Sequence, residues 1–453
     1  MERLHKRSRI GLLLSILLAL SACAAQPHPA GSAAQLQWLT NQRPDGVYVT
    51  AGGLLTWFDY TGQSAAYLCA QPNCAHDTDA CTARPPLGPG GQGTSIRGCY
   101  AAGERLILAV SDGEVSSIWT AGADGGDRRL LVDWTADEVW PRLTDGSSLY
   151  YTRAVPGDTA APGRTMLCRV PLDGGSAEEL LELRDPGDGA SWEELLGACG
   201  RGVVTLYSTP DGGALTPPRR TEEMTDAEYD AARQAYGSAL AQQTITRQVL
   251  VRELDGSGER VLARWQSAAG DMGWLSAWQD GTLWQLKTDG SAVRTVAADG
   301  QMTETAVQWP EELAGCWMPG APEGVLDGRL LVQVTAPQDG SSHRVAVNPA
   351  DGSAQVIRLY QLTDLHGDPR YGAQYAMEPM KLYGAGGGQV LLACAMRDTS
   401  RPAMAEDGSL YETWDREAQY GLLSTADFFA SRQNWTQVDA GCQIDFGWAW
   451  QPE

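Results

Sequence analysis

Residues 167–183 read LCRVPLDGGSAEELLEL: a strand, a turn built on Asp173-Gly174-Gly175, and a second strand. The pattern returns as IWTAGADGGDRRLLVDW at 118–134, LVRELDGSGERVLARW at 250–265, LWQLKTDGSAVRTVA at 283–297 and VAVNPADGSAQVIRLY at 345–360. The turn aspartates Asp124, Asp173, Asp255, Asp289 and Asp351 stand 49, 82, 34 and 62 residues apart. A unit of four strands that cannot bury its own faces repeats at roughly 40–50 residues when it is stacked around an axis. The series fits that period loosely, and the 82-residue gap holds an insertion.

The rest of the chain supports the same reading. There are fifteen Asp-Gly dipeptides, where random placement gives about four, and Asp-Gly suits a type I′ hairpin because both central residues need positive φ. Between the turns lie short apolar runs: RLILAV at 105–110, SLYYT at 148–152, GVVTLY at 202–207, RLLVQV at 329–334 and VLLACA at 390–395. The fold class is all-β, a β-propeller. Segments 46–69 and 388–438 add irregular blades to the five regular units, for a total of six or seven, with seven favoured. An open ring would expose sheet edges, so a strand from the far terminus is expected to complete the first blade; GCQIDFGWAW at 441–450 is the candidate. The insertion is a helix over about 221–243. Thr225-x-x-Glu228 forms a capping box, and Tyr229, Ala232, Tyr236 and Leu240 share a face expected to pack on the ring.

These units resemble the TolB-like and YWTD-type β-propellers, above all bacterial lipoproteins that carry such a ring, in which segments like LYRVPLDGG mark the third strand and its turn. The resemblance covers roughly residues 40–450 and implies a rigid ring presenting variable loops. A second resemblance sits at the N-terminus. Arg3, Lys6, Arg7 and Arg9 precede an apolar run from Ile10 to Leu20, and then Leu20-Ser21-Ala22-Cys23 resembles a lipobox. The run is too short to cross a bilayer as a helix and fits a signal-peptide core. The expected organisation is a signal peptide at 1–22, lipidated Cys23 with a flexible tether through residue 40, and a propeller at 41–453, placing the protein outside the cytoplasm and anchored to the membrane.

Charge narrows the partners. The chain carries 56 acidic and 34 basic residues, net -22. Residues 1–22 hold a net +3, so the remainder stands at -25. That surface excludes nucleic acid as a partner and repels anionic headgroups, so acyl chains rather than a basic patch must hold the membrane. No G-x-S-x-G elbow, G-x-x-x-x-G-K-[ST] loop or H-E-x-x-H helix occurs.

One local cluster carries chemistry: Cys69-x4-Cys74-x-His76-x4-Cys81, four soft donors within 13 residues, with Pro72-Asn73 favouring a tight turn. It resembles an element written CxxPxCxHxxxxC in related lipoproteins. Structural zinc, disulfides with Cys99 as a fourth thiol, and neither of these are all open readings. Cys168, Cys199, Cys316, Cys394 and Cys442 read as strand residues. Trp134, Trp265 and Trp309 recur at equivalent places and read as inter-blade packing, as do Trp140 and Trp192, whereas Trp274, Trp278, Trp284 and Trp317 fall off the pattern and are candidates for a ligand-facing surface. His366, in a polar loop, joins them. The expected function is a non-enzymatic binding module for an envelope protein or a glycan. The rivals are a propeller-type polysaccharide hydrolase or lyase with paired carboxylates, and a scaffold in an envelope complex.

Overall fold

Arg329–Thr335 (RLLVQVT) is buried at four of its seven positions, and Arg105–Ser111 (RLILAVS) at six. Strand side chains alternate between the two faces of a sheet, so such runs are stable only where both faces are covered. The computed structural model shows how they are covered. It describes residues 35–438 apart from 52, 158–162, 185–190, 214, 222, 319, 365–374 and 405–408.

Seven four-stranded antiparallel meanders follow one another along the chain, at residues 42–67, 95–135, 138–183, 192–268, 274–306, 324–357 and 382–438. These are blades 1 to 7 of a β-propeller. The first strand of each blade is innermost, since the first strands of blades 1 and 2, 3 and 4, 4 and 5, 5 and 6, and 7 and 1 meet one another. Seven apolar clusters fill the seven interfaces. The period of two is visible residue by residue. Val47 and Val49 pack toward blade 7, while Tyr48 between them packs toward blade 2. Leu391 and Ala393 face blade 1, while Val390 and Leu392 face blade 6. The ring closes where the Phe58 ring meets Tyr420, centroids 4.7 Å apart.

Several buried charged groups in the ring have partners. On the third strands of blades 5 and 6, Arg294 and Arg344 are buried. Arg294 Nε donates to Gln285 Oε1 at 2.7 Å, and its guanidinium lies 4.0 Å from the Trp274 ring centroid. Arg344 holds both oxygens of Glu323 at 2.5 and 2.9 Å and donates to the Met380 carbonyl at 2.7 Å, which ties blade 6 to the chain entering blade 7. Glu193, in the first strand of blade 4, is buried and accepts from Thr205 Oγ1 at 2.6 Å, Arg252 Nη1 at 2.6 Å and the Arg184 amide at 2.9 Å. A buried carboxylate with three donors is tolerated where an unpaired one is not.

Two kinds of Asp-Gly turn recur. Asp280-Gly281 and Asp327-Gly328 both have positive φ, the type I′ geometry expected, and join first to second strands. At Asp124, Asp255, Asp289 and Asp351 only the following glycine has positive φ. There the aspartate instead accepts from the amide two residues on, at 2.8–3.0 Å.

Three expectations need correction. The ring does not begin at residue 41: Leu36 and Leu39 are buried, and Gln37–Trp38 adds a fifth strand to blade 3, so the tether cannot extend to residue 40. The inner strand of blade 1 is the two-residue Gln42–Arg43 rather than a far-terminal segment, and 441–450 lies outside the described residues. The helix Asp226–Gln242 has the Thr225–Glu228 capping box, but none of its residues is buried, and Tyr229, Ala232, Tyr236 and Leu240 are only half-buried. These four are the half-buried residues of the helix and the others are exposed, so the expected face is the covered one, but only in part.

The two faces of the ring differ. A meander puts its first and third turns at one end and its second turn and exit at the other. On the first-turn face, the Leu36 amide donates to the Gly200 carbonyl at 2.9 Å and Arg43 Nη2 to the Gly103 carbonyl at 2.5 Å, so the entering chain runs along that face. On the opposite face lie the helix, between the second and third strands of blade 4, and the hairpin Tyr360–Asp364 with Tyr375–Pro379, between blades 6 and 7. The same face carries the long hairpin Gln389–Met404 with Leu410–Ser424 in blade 7, whose pairing continues about 30 Å past the blade at ~3.3 Å per residue.

Candidate functional site

The 68–94 connection leaves the last strand of blade 1 (Ser64–Tyr67) and enters blade 2. Residues 69–80 contain no buried side chain; Cys69, Cys74 and His76 alone are half-buried, and Cys81 then closes the loop fully buried. The chain turns sharply at Asn73 (φ 57°) and again at His76 (φ 60°), both left-handed. A histidine held there is uncommon, and positive φ outside glycine often marks a constrained site.

These turns bring four donors together. Cys69 Sγ, Cys74 Sγ, a His76 ring nitrogen and Cys81 Sγ all lie within 4.8 Å of one another. Cys81 Sγ is 3.7 Å from Cys69 Sγ and 3.2 Å from His76 Nδ1. Tetrahedral zinc with Zn–S near 2.3 Å and Zn–N near 2.0 Å places sulfurs about 3.8 Å apart and sulfur and nitrogen about 3.5 Å apart. Amides support the sulfurs: His76 N–H donates to Cys74 Sγ and Ala83 N–H to Cys81 Sγ, each at 3.4 Å. The loop ends are tied as well, with Ala70 N–H donating to Thr82 Oγ1 at 2.8 Å and Gln71 Nε2 to the Ala80 carbonyl at 2.6 Å. The Tyr67 ring meets His76 edge-on at 4.7 Å. Burial works to raise the Cys69 thiol, but backbone hydrogen bonds at Gln71 and Thr82 and the sulfurs of Cys74 and Cys81 outweigh it and hold it at about 6. Burial pushes Cys81 up to about 11. Three thiols and an imidazole in this arrangement could hold a metal ion, with all four corners taken by protein.

The described cysteines are thiols. Cys99 is not part of the cluster; it is buried among Tyr48, Leu55 and Leu106 between blades 1 and 2, where burial pushes it to about 12. Cys168 is buried as expected, Cys199, Cys316 and Cys394 are half-buried, and Cys442 lies outside the described residues.

The tryptophans separate. Trp265 and Trp309 pack between blades as expected, the latter donating from Nε1 to the Gly290 carbonyl at 2.6 Å. Trp274, expected to face a ligand, is buried against Arg294 between blades 4 and 5. Trp278 is wedged where Gly197 lacks a side chain, and donates to the Ala198 carbonyl at 2.8 Å. Trp284 packs into the interface of blades 5 and 6. These three left the periodic pattern because inner strands pack sideways on neighbouring blades. Trp317 remains 53% exposed. Its backbone bridges Thr335 at the end of the second strand of blade 6, on the face that carries the insertions. Cys23 and His366 lie outside the described residues.

No model of a known protein family matches the chain, and no curated protein does. Among solved structures, an oligogalacturonate lyase in complex with manganese is similar at a TM-score of 0.37 and 10% identity, over 73% of this chain and 75% of that one. A prolyl endopeptidase is similar at 0.31 and 13%, over 87% of this chain and 54% of that one, so the chain spans about half of it. A nidogen/laminin complex is similar at 0.29 and 12%, over 70% and 89%. At these values the likenesses carry no argument about activity. Strand order and interface packing carry the fold on their own.

Proposed function

We propose that the protein is a membrane-anchored extracytoplasmic lipoprotein that binds an envelope protein or a glycan, without catalysis, through one face of its propeller. The observation that carries this reading is the division of labour between the two faces. The chain from the Cys23 side joins the ring along the first-turn face, and the helix, both hairpin excursions and exposed Trp317 lie on the other. A tether on one face turns the opposite face outward, and loops on a rigid ring give a broad preorganised surface. Acyl chains on Cys23 would supply the anchor that the net charge cannot. The cofactor in this reading is a structural zinc at Cys69, Cys74, His76 and Cys81, with no open position for chemistry.

The test has two arms. Fatty-acid labelling is expected in the wild type and absent in Cys23→Ala, with release of the variant from membranes. A glycan array and an envelope-extract pull-down with the soluble body are expected to give binding that Trp317→Ala weakens by about tenfold, as loss of one exposed aromatic anchor does. Unlabelled wild type would end the anchoring reading, and binding indifferent to Trp317 would end the face assignment.

A second reading is a polysaccharide hydrolase or lyase, which needs two carboxyl groups about 5–10 Å apart. It draws on Glu194, in the innermost strand of blade 4, whose carboxyl is raised by burial although the charge of Arg142 lowers it. Turnover of an acidic polysaccharide that Glu194→Gln abolishes would favour it.

A further inference from the structure

We infer that the Cys69–Cys74–His76–Cys81 centre is a charge-balanced metal clamp between blades 1 and 2, with Arg128 of blade 2 as the counter-ion of the filled site. The inference rests on the zinc reading and adds the partner that makes the site stable. Three thiolates and a neutral imidazole around a divalent ion leave a net charge of -1, and a partly buried charge is costly unless a cation faces it.

Blade 2 supplies that cation by way of the turn between Ser116–Gly122 and Arg129–Thr135. Gly125 of this turn, at φ 78°, is pressed so closely on the connector that a Cβ would stand 2.4 Å from the Leu68 carbonyl oxygen and 2.8 Å from that of Thr82. Leu68 and Thr82 are the residues immediately outside the first and last ligands. The turn is therefore seated on both ends of the ligand loop. Half-buried Arg128 follows, with Nε donating to the Gly125 carbonyl at 3.0 Å and Nη2 donating to the Thr82 carbonyl. Thr82 directly follows the ligand Cys81, so this hydrogen bond holds the guanidinium beside the last ligand of the loop. The neighbouring cations of that turn are engaged elsewhere, Arg105 and Arg129 both pairing with Asp127. Arg84 approaches from the other side, donating to the His76 carbonyl at 3.4 Å.

The ligand loop itself has no apolar anchor between Cys69 and Cys81, so what orders it is the bound ion. Thiolate and imidazole donors select a soft or borderline divalent ion such as zinc over manganese, magnesium or calcium. Filled, the site fixes the 68–94 connector to blade 2 and covers the outer part of the blade 1–2 interface.

Cobalt(II), a spectroscopic stand-in for zinc, tests this on the full chain purified under reductant. The wild type is expected to take up one cobalt with tetrahedral visible bands and thiolate-to-cobalt charge transfer, displaced by zinc. Arg128→Met is expected to keep that spectrum with zinc affinity reduced 10–100-fold, the usual cost of losing an outer-sphere partner, and Arg128→Lys to recover most of it. Gly125→Ala, which must push the turn off both carbonyls, is expected to weaken zinc similarly and decides the matter if Arg128→Met does not fold. A wild type without thiolate–cobalt bands overturns the zinc reading itself. Wild-type spectra with unchanged affinity in Arg128→Met or Gly125→Ala overturn the clamp while leaving the zinc.

Discussion

The interface between blades 5 and 6 and the connector between blades 1 and 2 are held by different physics. In the former, Leu286, Val293, Leu330, Val332 and Val345 are buried, and the sheets are held by that burial. In the connector, twelve consecutive residues bury no side chain, yet the chain makes two left-handed turns and converges four ligand atoms. Where burial supplies the free energy, sequence can drift as long as the alternation holds. Where it does not, order depends on a few specific side chains and on what they bind.

The largest effect should come from breaking the ring. Phe58→Ala empties the closure between blades 7 and 1 and is expected to cost about 3–5 kcal/mol in denaturant unfolding, with or without zinc. A cost under about 1 kcal/mol would mean the closure carries little. Cys74→Ser should be next. It removes a ligand without touching the core, so it is expected to cost roughly 3 kcal/mol when free zinc stands near 100 times the dissociation constant, and almost nothing in chelator. An equal loss in both conditions would make the cysteine a packing residue. The smallest effect belongs to the turns. The Ser291 hydroxyl and amide, outweighing slight burial, hold the exposed Asp289 carboxyl at about 2. Its folded value lies below the unfolded one, so its contribution is present above about pH 4 and lost as pH falls toward 2. Solvent screening keeps that contribution below about 0.5 kcal/mol. Asp289→Asn should therefore differ slightly from wild type at neutral pH and converge with it in acid.

The ring was legible because its cause is periodic. Asp124, Asp173, Asp255, Asp289 and Asp351 punctuate strands whose both faces must be covered, and that pattern alone leads to blades around an axis. Gln42–Arg43 was not legible, because two polar residues carry no alternation, and neither was the burial of Leu36 and Leu39, which stand in the short stretch Leu36-Gln37-Trp38-Leu39 without a sustained period of two. Trp274 and Trp278 misled because a tryptophan's exposure depends on what the next blade offers, here Arg294 and the gap at Gly197. In the candidate site the four ligands were visible from spacing. Arg128 and Gly125 were not, since they come from another blade; the Gly-Gly and Arg-Arg pairs within ADGGDRR were the available signal.

Hydrogen exchange on the zinc-loaded protein, before and after chelation, tests the contrast between ring and connector most directly. Amides of residues 68–84 should lose protection on metal removal while those of blades 3 to 6 keep theirs. Exchange that leaves 68–84 unchanged, or that releases the distant blades together with them, would contradict the account.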